Sequence, residues 1–400
     1  MKAKQRLAIY GGALLMLGAT CAAGTTDFQP SVAADTTYSD NLEYSGTGSS
    51  SDAAYRLSLD LPVTRTWATG QMLFRYNPRR NQFRDQGALD HTAHFAQFAI
   101  NDQLSDKGGI DFSASFLRSQ TQGNFFSLDD PDILLTERVF RDRLDADLGY
   151  SRQVGPTWRW NGSVGVGSVQ HETIDGFTSG GGGIGFEDRT QLRLATTVGK
   201  QLSQTTTVGV NLRYQQNELD ISGDEDVTAI NFSFDRQISA VASFAVLVGM
   251  FDAETDLGIN DRSGAFVRAS YNRDFRNLAL GLFGGHRPTS GGSLPGTATD
   301  TNVGFSLTGT TSPVWNWDLS VSAARRDPAD SAAPEIDSTG FAGGINWAIH
   351  PKVGLRLRAA SIQQSVDAPM TTDIDVFNVS FGVAWFPRGQ QQAQQQPRTN

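Results

Sequence analysis

Apolar and polar residues alternate along most of this chain with the period of a β-strand. The pattern is clearest between Asp226 and Met250. There Ile230, Phe232 and Phe234 share one face, and Ala229, Asn231, Ser233 and Asp235 share the other. After a short turn at Gln237–Ser243, Phe244, Val246, Val248 and Met250 oppose Ala245, Leu247 and Gly249. Successive side chains point to opposite faces of a strand, so each strand has one greasy face and one small or polar face. A water-soluble sandwich buries the greasy face in a core. A membrane barrel turns it to lipid and keeps the polar face for its lumen.

The same unit recurs from residue 31 to the end of the alternating region. Strands are separated by a short turn and then by a longer loop rich in Gly, Asp and Ser. Short turns are expected at Thr66–Thr69, Gln103–Gly108, Gln153–Pro156, Gln201–Thr205, Gln237–Ser243, Asp274–Asn277, Thr311–Pro313 and His350–Lys352. Together with a first strand from Ser31 and a last at Asp373–Phe386, these hairpins predict an all-β, antiparallel up-and-down barrel of about 18 strands, with 16 as the alternative. An even number puts both chain ends on one side with the short turns, which in such barrels is the periplasm. Longer loops, among them Pro78–Leu89, Thr121–Leu135, Ala253–Asp261, Arg287–Ala298 and Arg326–Asp337, then face outward from the cell.

Tryptophan agrees with this sidedness. Trp67, Trp158, Trp160, Trp315, Trp317, Trp347 and Trp385 all lie near a short turn or the last strand's end, and none lies in a long loop. An interfacial aromatic girdle predicts that clustering, whereas a soluble core scatters Trp through strand centres. The last strand alternates cleanly, with Phe377, Val379, Phe381, Val383 and Trp385 facing out. Residues 389–400 are Gln-rich and low in complexity, and read as a disordered tail.

Composition narrows the reading further. Charged residues make up 19% of the 400 and the net charge is -9, which argues against nucleic acid as a partner. No run of 18 apolar residues follows residue 20, so a helical membrane bundle is excluded. Lys2, Lys4 and Arg6, the apolar run to Thr20, and small residues at Ala22, Ala23 and Gly24 predict a secretory signal over residues 1–23. Residues 24–30 read as a short leader and 31–388 as the barrel. Cys21 is the only cysteine, so a chain cleaved at the signal has no thiol chemistry.

Alternation also assigns a lumen. Arg56, Asp60, Asp145, Asp147, Arg193 and Arg213 fall on the inner face, with Asp235, Arg268, Asp318, Arg356 and Arg358. Their outward neighbours are residues such as Leu57, Leu144, Leu194, Leu212 and Leu357. An Arg or Lys on the lipid face at mid-bilayer costs about 2–4 kcal/mol, which fixes the direction of these strands. Both signs of charge therefore line the interior, either pairing across the lumen and plugging it or facing a water-filled pore. Eighteen strands leave room for an aqueous channel, and the Arg cluster could attract anionic solutes. The third long loop carries Phe125 and Phe126 beside Asp129, Asp130 and Asp132. It reads either as a constriction folded into the pore or as a loop packed on the rim.

No catalytic constellation stands out. His91 and His94 are three apart on a strand, so they point to opposite faces and make poor joint ligands. No enzyme activity, cofactor or metal is expected. The whole mature chain resembles outer-membrane β-barrel proteins of the porin type found with exopolysaccharide and exosortase systems. The phrase Pro30-Ser-Val-Ala-Ala-Asp35-x-x-Tyr38-Ser-Asp40-Asn41, the absence of a plug domain and the run of hairpins to Phe386 carry that resemblance. It implies a passive conduit for secreted polysaccharide in the outer membrane of a Gram-negative bacterium. The partners it implies are outer-membrane lipid, the barrel assembly machinery and polysaccharide export components. A general, sugar or anion uptake porin and a non-conducting surface barrel that binds ligands are the alternatives.

Overall fold

The structure is a computed structural model and describes residues 24–41, 51–120, 139–173, 188–220, 223–256, 261–290, 297–328, 335–367 and 372–387. The signal at 1–23, the third long loop with its Phe and Asp residues, and the tail at 389–400 lie outside the described residues.

The strands are β1 (Gly24–Phe28), β2 (Ser31–Ser39), β3 (Asp52–Trp67), β4 (Gly70–Phe83), β5 (His91–Ser105), β6 (Gly108–Gln120) and β7 (Val139–Val154). They continue with β8 (Trp158–Thr173), β9 (Arg189–Ser203), β10 (Thr206–Leu219), β11 (Glu225–Ser239), β12 (Ala242–Thr255) and β13 (Arg262–Asp274). The last six are β14 (Leu278–Ser290), β15 (Thr297–Ser312), β16 (Trp315–Pro328), β17 (Glu335–His350), β18 (Val353–Asp367) and β19 (Thr372–Trp385). From β2 to β19 each strand pairs antiparallel with the next, and β19 pairs back with β2, so the sheet closes on itself. Closure removes the exposed sheet edges that a membrane could not solvate.

The barrel has eighteen staves although nineteen strands are numbered. β1 and β2 run along successive parts of one neighbour: β2 pairs with Asp52–Asp60 and β1 with Val63–Trp67 of β3. They form a single stave interrupted at Gln29–Pro30, where proline lacks the N–H that a ladder needs. Residues 24–28 of the expected leader are thus a strand on the barrel wall.

All eight expected short turns fall between paired strands. The expected long loops are too long, because β4 runs on to Phe83, β12 to Thr255, β14 to Ser290 and β16 to Pro328. Polar residues there break the alternation of hydrophobicity but not the hydrogen-bonded ladder, which continues beyond the apolar belt as a rim.

The greasy face is outside. Phe232, Met250, Val303, Leu57 and Phe381 are among the most exposed apolar side chains, at 60%, 66%, 60%, 57% and 52%. Each occupies the outward parity of its strand. All seven tryptophans also point outward at the short-turn end. Trp315 and Trp347 stack there with ring centroids 5.0 Å apart, and Trp67 donates from Nε1 to Asp102. This is the girdle expected of a lipid–water boundary.

Candidate functional site: the inner wall

Residues paired directly across antiparallel strands share a face, so the register maps the interior. Arg56 lies opposite Asp35 and Asn81, with Asp60 two inner-face positions further along β3, past Ser58. Asp145 and Asp147 face Gly167 and Gly165, and Gly165 faces Arg193. Arg213, Asp235, Arg268, Asp318, Arg356 and Arg358 occupy the same inner parity on their strands. The residues expected on the inner face thus all stand opposite the exposed apolar belt.

These groups fall into local sets. Arg193 lies 3.1 Å from Asp147 and 3.3 Å from Asp145, reaching across the whole of β8. That reach is possible because β8 carries Gly165 and Gly167 where the side chains cross: a Cβ at Gly165 would meet both Asp147 and Arg193. Gly344 plays the same part between Asp318 and Arg358, which approach to 3.8 Å. Gly382 leaves the space that the Asp35 carboxylate fills. Glycine in a strand marks a place where another group comes close, and here the group is a charged side chain. The sequence contained these glycines on alternate positions, but their use appears only once register is known.

A second set is basic. Arg56, Arg75, Arg79, Arg356 and Arg358 line the wall formed by β18, β19, β2, β3 and β4, together with Asp35 and Asp60. Arg75 forms a two-point pair with Asp60 at 2.6 and 2.9 Å. Arg56 donates to Asn81 at 2.9 Å and Arg79 to Asn77 at 2.6 Å. By the register, arginines outnumber carboxylates on the inner face of the described strands, although the chain as a whole carries -9. Carboxylates collect instead on the outer face of the long-loop rim, where Asp226 stands opposite Glu254 and Glu335 opposite Asp367.

On β18 and β11 the inner-face exposure falls toward the long loops. On β18, Arg356 is exposed, Arg358 half-buried, and Ala360, Ile362 and Gln364 buried. On β11, Asp235 is exposed while Asn231, Ala229 and Glu225 are buried. The short-turn half of the interior is open and includes a polar cavity of about 730 Å³ with Asp111, Arg159, Asn161 and Asp235 in its wall. One described element at the long-loop end is the segment 84–90. It tucks Leu89, fully buried, against Phe83 and Ala54 of the inner face. Its backbone is held by the Asp52 carboxylate, which accepts from the N–H groups of Asp85 and Gln86, and by Gln120, which donates to the Leu89 carbonyl. The sequence left the loop at 121–135 open between an inward constriction and packing on the rim, and did not single out the segment 84–90, whose only signal was a Leu within a polar stretch.

The histidines sit as their spacing predicts. His91 points inward between Asn81 and the Leu89 carbonyl, whereas His94 points outward and meets the Tyr76 hydroxyl at 2.8 Å. His286 contacts the Thr301 hydroxyl across β14 and β15. Among the described residues, no group of three or more His, Cys, Asp or Glu side chains is arranged to hold a metal ion.

No family model matches the chain, and no curated protein sequence matches it. Solved structures do. OccK2 (OpdF) from Pseudomonas aeruginosa aligns over 91% of this chain and 99% of its own, with a TM-score of 0.50 and 10% identity. A BenF-like porin from Pseudomonas fluorescens Pf-5 aligns over 89% and 98%, at 0.50 and 9%. The outer membrane protein opdK from Pseudomonas aeruginosa aligns over 90% and 99%, at 0.50 and 9%. At that identity the likeness shows the fold: this chain is a closed eighteen-stranded antiparallel barrel of the outer-membrane porin type.

Proposed function

We propose that this protein is an outer-membrane diffusion channel that favours small anionic, hydrophilic solutes, with its short turns and both chain ends in the periplasm. The observation that carries the reading is the excess of arginine over carboxylate on the inner wall of a chain that is acidic overall. A channel lined by one sign of charge raises the local concentration of the opposite ion. Arg356 and Arg358 lie in the open half, where a solute passes close to them. The porin fold of OccK2 (OpdF) and the BenF-like porin supports a conduit over an enzyme.

Passage of secreted polysaccharide has less support. The N-terminal phrase that suggested it has a structural use. Asp35 fills the gap over Gly382, the Asp40 carboxylate accepts from the Phe377 N–H, and Asn41 donates to the Asp375 carbonyl. These contacts build the closing seam and need no polysaccharide partner.

Planar-bilayer recording tests the proposal. Wild type in a salt gradient should give a reversal potential on the anion-selective side. Arg356→Gln with Arg358→Gln should move it toward the cation side. Wild type that passes no current would support a surface barrel that only binds ligands. Block by long anionic polysaccharide, with small sugar acids without effect, would restore the export reading.

A further inference from the structure

The outer face of the barrel carries different charges at its two ends. At the long-loop rim, carboxylates such as Asp226, Glu254 and Asp367 stand on outward positions. At the short-turn end of β7 to β14 the outward charges are basic. β7, β9, β11 and β13 close on a shared phrase: Tyr150-x-Arg152-Gln153, Val198-x-Lys200-Gln201, Phe234-x-Arg236-Gln237 and Tyr271-x-Arg273-Asp274. The residue after each base donates its backbone N–H to a carbonyl in the turn of the preceding hairpin. Gln153 reaches Lys107 at 2.6 Å, Gln201 reaches Thr157 at 2.7 Å, Gln237 reaches Thr205 at 2.8 Å and Asp274 reaches Val241 at 2.7 Å. That repeated bond sets Arg152, Lys200, Arg236 and Arg273 at equivalent heights, one to each hairpin.

Each base stands at the edge of the apolar belt. Arg152 is opposite Trp160, Lys200 opposite Trp158 and Val208, Arg236 opposite Phe244, and Arg273 opposite Leu280. The Lys200 ammonium lies 5.1 Å from the centre of the Trp158 ring, and the Arg273 guanidinium 4.8 Å from that of Phe275. Such contacts hold a cation at the interface and leave its N–H donors open to an anion. Arg152, Arg236 and Arg273 are exposed, and Lys200 is half-buried. Among the described residues, no outward position at this end of β7 to β14 holds a carboxylate, and none of the four bases forms an ion pair. Outward arginines at the long-loop rim differ: Arg118 pairs with Asp142 and Glu172, and Arg325 with Glu335 and Asp337. The acids of the short-turn end, such as Asp111 and Asp235, line the interior cavity instead.

We propose that this row is a docking surface for the phosphates of anionic phospholipids in the leaflet at the short-turn end, one head group to each hairpin. The acyl chains lie on the apolar belt beneath, where Val164, Val198, Phe232 and Val248 are exposed. Neighbouring bases are two strands apart, about 12 Å around the wall, which exceeds the Debye length of about 8 Å in physiological salt. Each base therefore acts on its own head group, and the row selects by charge. Bases that served only to reach water would be indifferent to the head group, whereas a guanidinium or ammonium at the membrane surface favours an anionic one. The inference rests on the outer-membrane placement above, but neither on the channel's ion selectivity nor on which side the short turns face.

The test uses the full-length folded barrel in phosphatidylcholine vesicles with chain-labelled lipid probes. Electron paramagnetic resonance should show labelled phosphatidylglycerol held at the wall about fivefold more tightly than labelled phosphatidylcholine, the factor that one base near a membrane surface supplies. High salt should reduce that preference by screening. Arg152→Gln, Lys200→Gln, Arg236→Gln and Arg273→Gln combined should remove most of it. Arg152→Lys, Arg236→Lys and Arg273→Lys combined keep the charge and should keep the preference, which separates loss of charge from loss of folding. Arg80→Gln with Arg325→Gln, on outward positions at the long-loop rim, should leave it unchanged. Equal retention of the two probes by wild type overturns the proposal. So does a preference that survives the four glutamines, or one that is lost with Arg80→Gln and Arg325→Gln. Bilayer conductance is measured separately, so a barrel that shows the preference without conducting defeats the channel reading and leaves the lipid row standing.

Discussion

Gly165 shows how much of the inner wall depends on the absence of a side chain. Arg193 can lie flat across β8 only because nothing projects between it and Asp147. A leucine at this position must displace one of the two charges or bend the strand. Overpacking of this kind costs about 1–3 kcal/mol. Gly165→Leu should therefore lower the urea midpoint of the barrel in vesicles and free Arg193 from its partner, shifting the reversal potential toward anions. Gly284→Ala is the control. It faces outward with only ordinary contacts, 3.5 Å from the Asn302 carbonyl oxygen and 3.9 Å from Val303, and should change neither quantity. At this scale the sequence is nearly silent. Gly165, Gly344 and Gly382 look alike in the chain, and their charged occupants come from the strands on either side or, for Gly382, from Asp35 at the other end of the chain.

At the scale of one hairpin the chain is far more legible. β11 and β12 pair with Phe232 opposite Val248 and Asn231 opposite Gly249, so the alternation in the sequence is the alternation in space. The reason is physical: a one-residue slip would turn every lipid-facing side chain inward, so register is strongly specified. Phe232→Arg should cost about 2–4 kcal/mol in a urea titration of membrane insertion, because it places a charge on the lipid face. Ser233→Arg, one residue along, should cost no more than about 1 kcal/mol, since its side chain faces the aqueous interior. Equal costs would mean that the hairpin is not oriented as described. What hairpin-level reading lost was the rim. β4 and β12 continue past the apolar belt as hydrogen-bonded strands whose residues no longer need to alternate. The segment 84–90 occurs in that region.

At the scale of the whole molecule, the two ends of the barrel differ in every respect that the strands reveal. One end carries short turns, the tryptophan girdle and an open, polar interior. The other carries the long-loop rim, an outer collar of carboxylates and an interior whose inner-face side chains are packed from sight. This polarity follows from the chain's hairpin rhythm, with short and long connections strictly alternating. It was legible in the sequence, but the packed upper interior was not, because side chains such as Ile362 and Val376 on the inner parity read only as exceptions to a polar lumen. If the short-turn end faces the periplasm, a membrane-impermeant maleimide added to intact cells should not reach a cysteine at Ala240, in the turn between β11 and β12. It should reach a cysteine at Gly87, which is exposed in the segment 84–90 with open space around its Cα. Both Ala240→Cys and Gly87→Cys would be made in a Cys21→Ala background, since Cys21 is the only other thiol. Labelling at Ala240 without labelling at Gly87 would invert the molecule in its membrane. The narrow, packed half would then face the cell interior, and the basic wall at Arg356 would meet solutes first.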